Sequence, residues 1–282
     1  DTTLYSLPFD EAVNNNSALN GMIGFTYLPT QHTRLYTHVS SGFRAPNIDD
    51  IAKVFDPEPN TVVVPNPGLD PEYLWSVELG WVQKFTDNYA FEIAGFYNYL
   101  SNAMVRRPFT FQGQDSIIYE GELSQVVAVQ NSDHAFIYGV QAGITGNISK
   151  HFAAKANINY TYGEASDGEP LRHVSPIFGQ VGIIFTHGWF KADSSWLYNG
   201  EISSDKMAPS ERNKEYLYLL DDEGNPYSPS WSTINLRMSY KLNHYLEALG
   251  GIENIADVRY RPYSSGLVAP GRNIYLTIRA YL

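Results

Sequence analysis

Polar and apolar residues alternate along most of this chain, in segments of about 9–14 residues that recur from end to end. Side chains of an extended strand point in turn to its two faces, so a period of two predicts strands with one greasy and one polar side. Eleven such segments are read at 19–28, 33–41, 72–85, 89–102, 134–148, 152–163, 174–186, 189–200, 231–242, 245–254 and 271–282. Residues 1–9 read as the remnant of a twelfth. No segment of comparable length carries a helical period, so an all-β, antiparallel chain is expected.

The connections alternate in length. Short ones fall at Pro29–His32, Thr86–Asn88, Ser149–His151, His187–Gly188 and Asn243–His244, and long ones near 42–71, 103–133, 164–173, 201–230 and 255–270. An up-and-down sheet with tight turns at one end and large loops at the other follows from this asymmetry.

The faces are cleanly sorted. In 152–163, Phe152, Ala154, Ala156, Ile158 and Tyr160 oppose Lys155, Asn157, Asn159 and Thr161. In 231–242, Ile234, Leu236, Met238, Tyr240 and Leu242 oppose Thr233, Asn235, Arg237, Ser239 and Lys241. In the last strand, Ile274, Leu276, Ile278, Ala280 and Leu282 oppose Asn273, Thr277 and Arg279. The charges Glu78, Glu92, Lys191, Asp193, Glu247 and Glu253 all take the polar side.

Alternation alone does not say which face is inside. A soluble sandwich hides its apolar face, and a membrane barrel shows it to lipid. Two features favour the barrel. Aromatics close the ends of the apolar faces (Trp75 and Trp81, Tyr89 and Tyr99, Phe152 and Tyr162, Phe190 and Tyr198), with plainer residues such as Val77, Ile93 and Ala156 between them. The chain is 14% aromatic, with 21 Tyr, as two interfacial girdles require. The polar face is also rich in Asn, Thr, Ser, Gln and Gly, as suits a wet lumen. The expected fold is therefore an antiparallel transmembrane β-barrel, with outer-membrane lipid as a partner.

The remaining composition excludes several functions. The formal charge of -11 disfavours nucleic acid, whose phosphates need clustered Lys and Arg. With no Cys there is no disulfide framework, thiolate zinc site or thiol catalysis. No apolar run of about 18 residues encodes a membrane helix. Neither a nucleophile elbow nor a phosphate loop is present, so catalysis is not expected and no cofactor is called for.

A series of short motifs carries a resemblance. Ser41-Gly42-Phe43-Arg44-Ala45-Pro46 ends the second strand, and Asn66-Pro67-Gly68-Leu69-Asp70-Pro71-Glu72 leads into the third. Phe96–Asn102 and Ile137–Gly143 follow, with Gln141 where a GxE strand has Glu. Asn254-Ile255-Ala256-Asp257-Val258-Arg259-Tyr260 and then Gly271-Arg272-Asn273 stand before the last strand. In order and spacing these resemble the FRAP, NPxLxPE, NLxDxxY and GR signatures of TonB-dependent outer-membrane receptors, over residues 33–282. The resemblance implies that 1–282 are C-terminal strands of a barrel of about 22 strands. It implies a plug domain and a TonB-engaging segment before Asp1, and active uptake of a scarce external ligand. An iron complex, siderophore or haem, leads on family frequency, with cobalamin or an oligosaccharide open. A passive porin or other outer-membrane barrel, and a soluble carbohydrate-binding β-sandwich, are the rival readings.

Ligand-contact candidates are Arg44, His38, His134, His173 and the Arg106-Arg107 pair. Each has a plainer reading. The Phe43–Pro46 and Asn66–Pro71 segments also serve as a strand exit and a turn, with Pro46 ending the ladder and Arg44 bonding a loop. Haem receptors carry a His between the two boxes, whereas 47–65 has none. The acidic groups Asp49, Asp50, Asp56 and Glu58, and Asp221-Asp222-Glu223, offer Ca²⁺-type oxygens or simply solvated loop tips.

Overall fold

The computed structural model describes residues 15–132 and 134–281. Eleven strands form one antiparallel sheet: β1 Met22–Thr30, β2 Thr33–Arg44, β3 Glu72–Thr86, β4 Tyr89–Ser101, β5 His134–Asn147, β6 Phe152–Ala165, β7 Phe178–His187, β8 Phe190–Asn199, β9 Trp231–Lys241, β10 Leu246–Glu253 and β11 Asn273–Ala280. Spatial order follows chain order throughout, with β1 and β11 as the outer strands, each paired on one side. Every segment expected from the alternation is present, with ends displaced by a few residues, as at β7, which starts at Phe178. The suspected remnant at 1–9 lies outside the described residues.

Register decides which residues share a face. Val39, Val77 and Tyr97 are successive partners across β2, β3 and β4, and His38, Glu78 and Phe96 are the row behind them. Along β3, Tyr73, Trp75, Val77, Leu79 and Trp81 are exposed, whereas Leu74, Ser76, Glu78, Gly80 and Val82 are half-buried. Side chains on a concave face crowd one another and those on a convex face splay apart, so the apolar side is the outer one. On β11 the same side leaves Leu276 78% exposed. A water-facing sheet would not leave such a continuous apolar surface open. The sheet is part of a transmembrane barrel wall.

Aromatic rings meet across strands at both ends of that surface. Tyr99 lies 5.7 Å from Phe136, and Tyr138 5.7 Å from Tyr162, at the long-loop end. Phe152 and Phe185 are 4.9 Å apart at the short-turn end. On the inner side the rings of Tyr36 and Tyr275 lie flat over Gly80 and Gly251, where any Cβ would collide with them. These glycines let large polar rings lie along the wall.

The long connections are more ordered than the sequence implied. Strands Phe55–Glu58, Thr61–Val63, Met104–Pro108, Ser116–Tyr119 and Glu122–Asn131 make a second sheet beyond the barrel wall. Thr61–Val63 runs parallel to Gln125–Val127. Val62, Val64, Phe111, Val126 and Ala128 form a buried apolar cluster there. That dry core sits among the loops, while the wall turns its apolar residues outward.

Candidate functional site

The last rung of the β2–β3 ladder pairs Arg44 with Glu72, so the two motif segments meet at the long-loop end of the sheet. Arg44 Nη1 lies 3.1 Å from Glu72 Oε2, and Nη2 lies 2.8 Å from Asp50 Oδ2. Pro46, with no N–H to donate, follows where the ladder stops. Asn47 then caps the short helix α1 (Ile48–Ile51): its Oδ1 accepts from Asp49 N and Asp50 N at 2.8 and 3.1 Å. Asp50 Oδ2 in turn accepts from Asn47 N at 3.0 Å, completing a capping box. Asp50 is thus shared between the cap and Arg44.

The other motif residues also bond within the fold. Asn66 accepts from Gly68 N at 3.2 Å and donates to Val129 O at 2.8 Å, and Leu69 is buried. Pro67 lies between these two anchors, and Pro71 O accepts from Asn102 Nδ2 at 3.4 Å. Asn254, with φ at 49°, accepts from Val258 N at 2.9 Å and donates to Val258 O at 2.8 Å. Asp257 Oδ1 accepts from Arg272 N at 2.7 Å and occupies the space a Cβ at Gly271 would need. Arg272 Nε donates to Ile255 O at 2.8 Å, and Tyr260 stacks on Trp231 with centroids 4.0 Å apart.

A concavity of about 330 Å³ opens beside Arg44. Arg106, Arg107 and Arg172 join Arg44 in its lining, with Asp50, Glu72 and Glu169, and Met104 and Leu171 supply apolar wall. Arg107 pairs with Asp167 across two loops, and the Arg106 guanidinium lies over Phe55, 5.5 Å from the ring centroid. Arg44 commits both terminal nitrogens to Asp50 and Glu72, and Arg107 and Arg172 each hold a carboxylate, so what the lining offers an anion is the one positive charge by which its four arginines exceed Asp50, Glu72 and Glu169.

Three of the candidates therefore converge, and the histidines do not. His38 is on the inner face opposite Glu78, lower on β2. His134 takes the outer side, stacked on Tyr99 at 5.6 Å and edge-on to Phe136 at 4.8 Å. His173 is nearer, in the 166–177 loop, with Nδ1 2.8 Å from Ser264 Oγ. Burial, aided by Arg172, holds its pKa below the usual histidine value.

Sequence reading missed Arg172 and the residue that fixes it. Glu211 is fully buried in the 200–230 loop and accepts from Arg172 Nε at 2.6 Å, Lys214 Nζ at 3.0 Å and the Tyr218 hydroxyl. Burial alone would raise its pKa, but the bonds from Tyr218, Lys214 and Arg172 outweigh that and bring it to about 2. Burial and the same carboxylate push the Tyr218 hydroxyl up. Arg212 bonds Glu169 at 2.7 Å, and Arg261 donates to Leu217 O at 2.8 Å. The 166–177 and 200–230 loops thereby close on one carboxylate, and Arg261 ties the 255–270 loop to the same segment. In the sequence Glu211 stands within Ser-Glu-Arg-Asn-Lys-Glu, indistinguishable from a solvated charge run.

Among the described residues no three His, Asp or Glu side chains gather as metal ligands. Asp221 Oδ1 is taken by the main-chain N–H groups of Glu223 and Asn225, at 3.0 and 2.7 Å.

Comparison with solved structures gives the same architecture. The chain resembles the copper transporter OprC with a TM-score of 0.71 at 17% identity, over 93% of this chain and 39% of that one. It resembles the siderophore receptor PirA from Acinetobacter baumannii with a TM-score of 0.71 at 17% identity, over 93% and 40%. The ferric enterobactin receptor PfeA of Pseudomonas aeruginosa, in a mutant form bound to enterobactin, gives 0.69 at 15% identity, over 92% and 40%. The chain thus spans about two fifths of the length of these structures, and at such identities the likeness is one of fold. No curated protein sequence matches it. The family described as TonB dependent receptor-like, beta-barrel, matches residues 1–255. With the eleven-stranded wall, its outward apolar face and the linked motif segments, this match places the chain in the TonB-dependent receptor β-barrel family.

Proposed function

We propose that this chain is the C-terminal wall of an outer-membrane receptor that takes up a scarce ligand by TonB-coupled transport, an iron complex being the leading cargo. In this reading a plug domain encoded ahead of Asp1 fills the lumen, and TonB pulls on it to open a path. The observation that carries the proposal is the Arg-lined concavity at the long-loop end, on a wall whose apolar side faces out. A ferric siderophore is favoured over haem because the lining has no His to ligate iron, and its four arginines exceed its three carboxylates by one positive charge. Anionic oxygens are what such a surface recognises. The iron-related and siderophore cargoes of PirA and PfeA support that choice, and copper transport by OprC marks the main competing metal.

Growth rescue under iron limitation tests the reading, using the full-length receptor in a strain lacking its other iron receptors. Ferric siderophores should restore growth only when TonB is present. Rescue by diffusion without TonB would establish the passive-pore reading instead. Failure with every iron complex, alongside binding of another ligand, would remove iron as cargo.

A further inference from the structure

Four of the seven histidines stand in the short turns or at their edges: His32, His151, His187 and His244. Two of them meet. The β6–β7 ladder pairs Phe152 with Phe185 at its short-turn end, which sets the β5–β6 turn beside the β7–β8 turn. His151 thereby lies against His187, with ring centroids 4.7 Å apart and planes tilted by 60°. Phe185 stands beside both rings, 6.2 Å from His151 and 6.4 Å from His187. His32 and His244 have other neighbours, Gln31 at 3.1 Å and Trp189 at 5.6 Å.

The backbone sets the tautomer of one ring. His151 Nδ1 lies 3.0 Å from Thr186 O. A carbonyl only accepts, so Nδ1 carries the hydrogen and Nε2 keeps its lone pair. Metal-binding imidazoles are oriented in this way, through a carbonyl on the other ring nitrogen. The separation fits as well. An ion bound about 2.0 Å from an imidazole nitrogen lies about 3.2 Å from that ring's centroid. Two rings sharing it at roughly 90–110° have centroids about 4.5–5.2 Å apart. The observed 4.7 Å falls inside that interval. Among the described residues no carboxylate joins the pair. Imidazoles without carboxylates suit Cu²⁺, Ni²⁺ and Zn²⁺ and not Ca²⁺ or Mg²⁺.

We propose that His151 and His187 together bind one transition-metal dication, Cu²⁺ most tightly, with water in its remaining positions. The ion ties the β5–β6 turn to the β7–β8 turn. This site lies at the opposite end of the wall from the Arg44 concavity and does not depend on TonB-coupled uptake. A growth-rescue assay that fails therefore leaves it standing.

The test is titration of the full-length receptor in detergent with Cu²⁺ alone, followed by electron paramagnetic resonance. His151→Ala and His187→Ala should each weaken one site of the wild type about tenfold and reduce its coupled nitrogens from a pair to one. The double variant should bind no more weakly than either single one, because the two rings share an ion. Zn²⁺ and Ni²⁺ should compete for this site with lower affinity. His244→Ala, in the next short turn, should change nothing. Both rings sit at turns outside the ladder core, and heat-modifiable gel mobility checks that each variant folds. Wild-type Cu²⁺ affinity in either single variant would overturn the site. Losses that add in the double variant would overturn it too, since they would mean two independent ligands.

Discussion

Arg44 and Glu72, 28 residues apart in the chain, are held 3.1 Å apart by the last rung of the β2–β3 ladder. Through Asp50, at 2.8 Å, the same guanidinium holds the capped helix that opens the first long loop. Glu72 in turn accepts from Met104 N, where the second long loop begins. One arginine therefore sets where both loops leave the wall.

Arg44→Ala should loosen residues 45–71 without unfolding the sheet. Arg44 is about half exposed, so the stability loss should be small, about 1 kcal/mol. Limited proteolysis should show faster cleavage within 45–71, while Arg44→Lys recovers only part of the protection because lysine cannot fork between two carboxylates. Unchanged cleavage in both variants would show that the pair does not anchor the loop.

Glu211 predicts an acid limit for the mouth. Its pKa is about 2 in the folded chain against an ordinary 4.5. A depressed carboxylate contributes stability above its unfolded pKa and loses it as pH falls through the folded one. The contribution should be complete at pH 7 and fade from about pH 4.5 to about pH 2, and it amounts to roughly 3 kcal/mol. Hydrogen exchange in 166–177 and 200–230 should stay slow down to about pH 5, after allowance for the intrinsic rate, and accelerate below. Loss of protection already between pH 7 and 6 would point to another group.

Replacing Glu211 by Gln tests the same hub at neutral pH. Arg172 and Lys214 would keep their charges with no counter-charge, costing about 3–5 kcal/mol for a buried pair broken on one side. The three loops should then exchange faster together, although β6, β8 and β9 remain protected. If only 200–230 responds, the loops are not one unit.

The orientation of the faces has its own test. Ala156→Arg or Leu236→Arg puts a charge on the lipid side and should cost about 2–4 kcal/mol near mid-depth. Asn157→Arg or Asn235→Arg adds it to the inner side and should be milder. Folding yields into lipid vesicles compare the pairs directly, and equal losses on both faces would reverse the assignment of inside and outside.

Asn254 offers a local check on the last long loop. Its side chain bonds Val258 N and Val258 O at 2.9 and 2.8 Å, and its backbone has positive φ. Asn254→Gly keeps the backbone conformation and loses the bonds, whereas Asn254→Ala loses both. Thermal unfolding should place Gly about 1 kcal/mol and Ala about 2 kcal/mol below the wild type. Equal costs would mean the conformation is unstrained.

The eleven strands, their faces and the alternation of short turns with long loops were readable in the residues. All three depend on neighbours in the chain: strand pleating turns a period of two into two faces, and a charge is tolerated on only one of them. The FRAP-like and NPxLxPE-like segments were readable too, but not the ion pair between Arg44 and Glu72. That contact exists only once β2 and β3 are in register. Thr61–Val63 could not be matched to Gln125–Val127, because each is a short apolar run and more than 60 residues separate them. Glu211 gave no signal at all, since burial is a property of its surroundings and its sequence neighbours are charged. Local pattern determined the wall of this protein; the mouth was decided by the fold, which alone brings distant loops close enough to desolvate a carboxylate and surround it with donors.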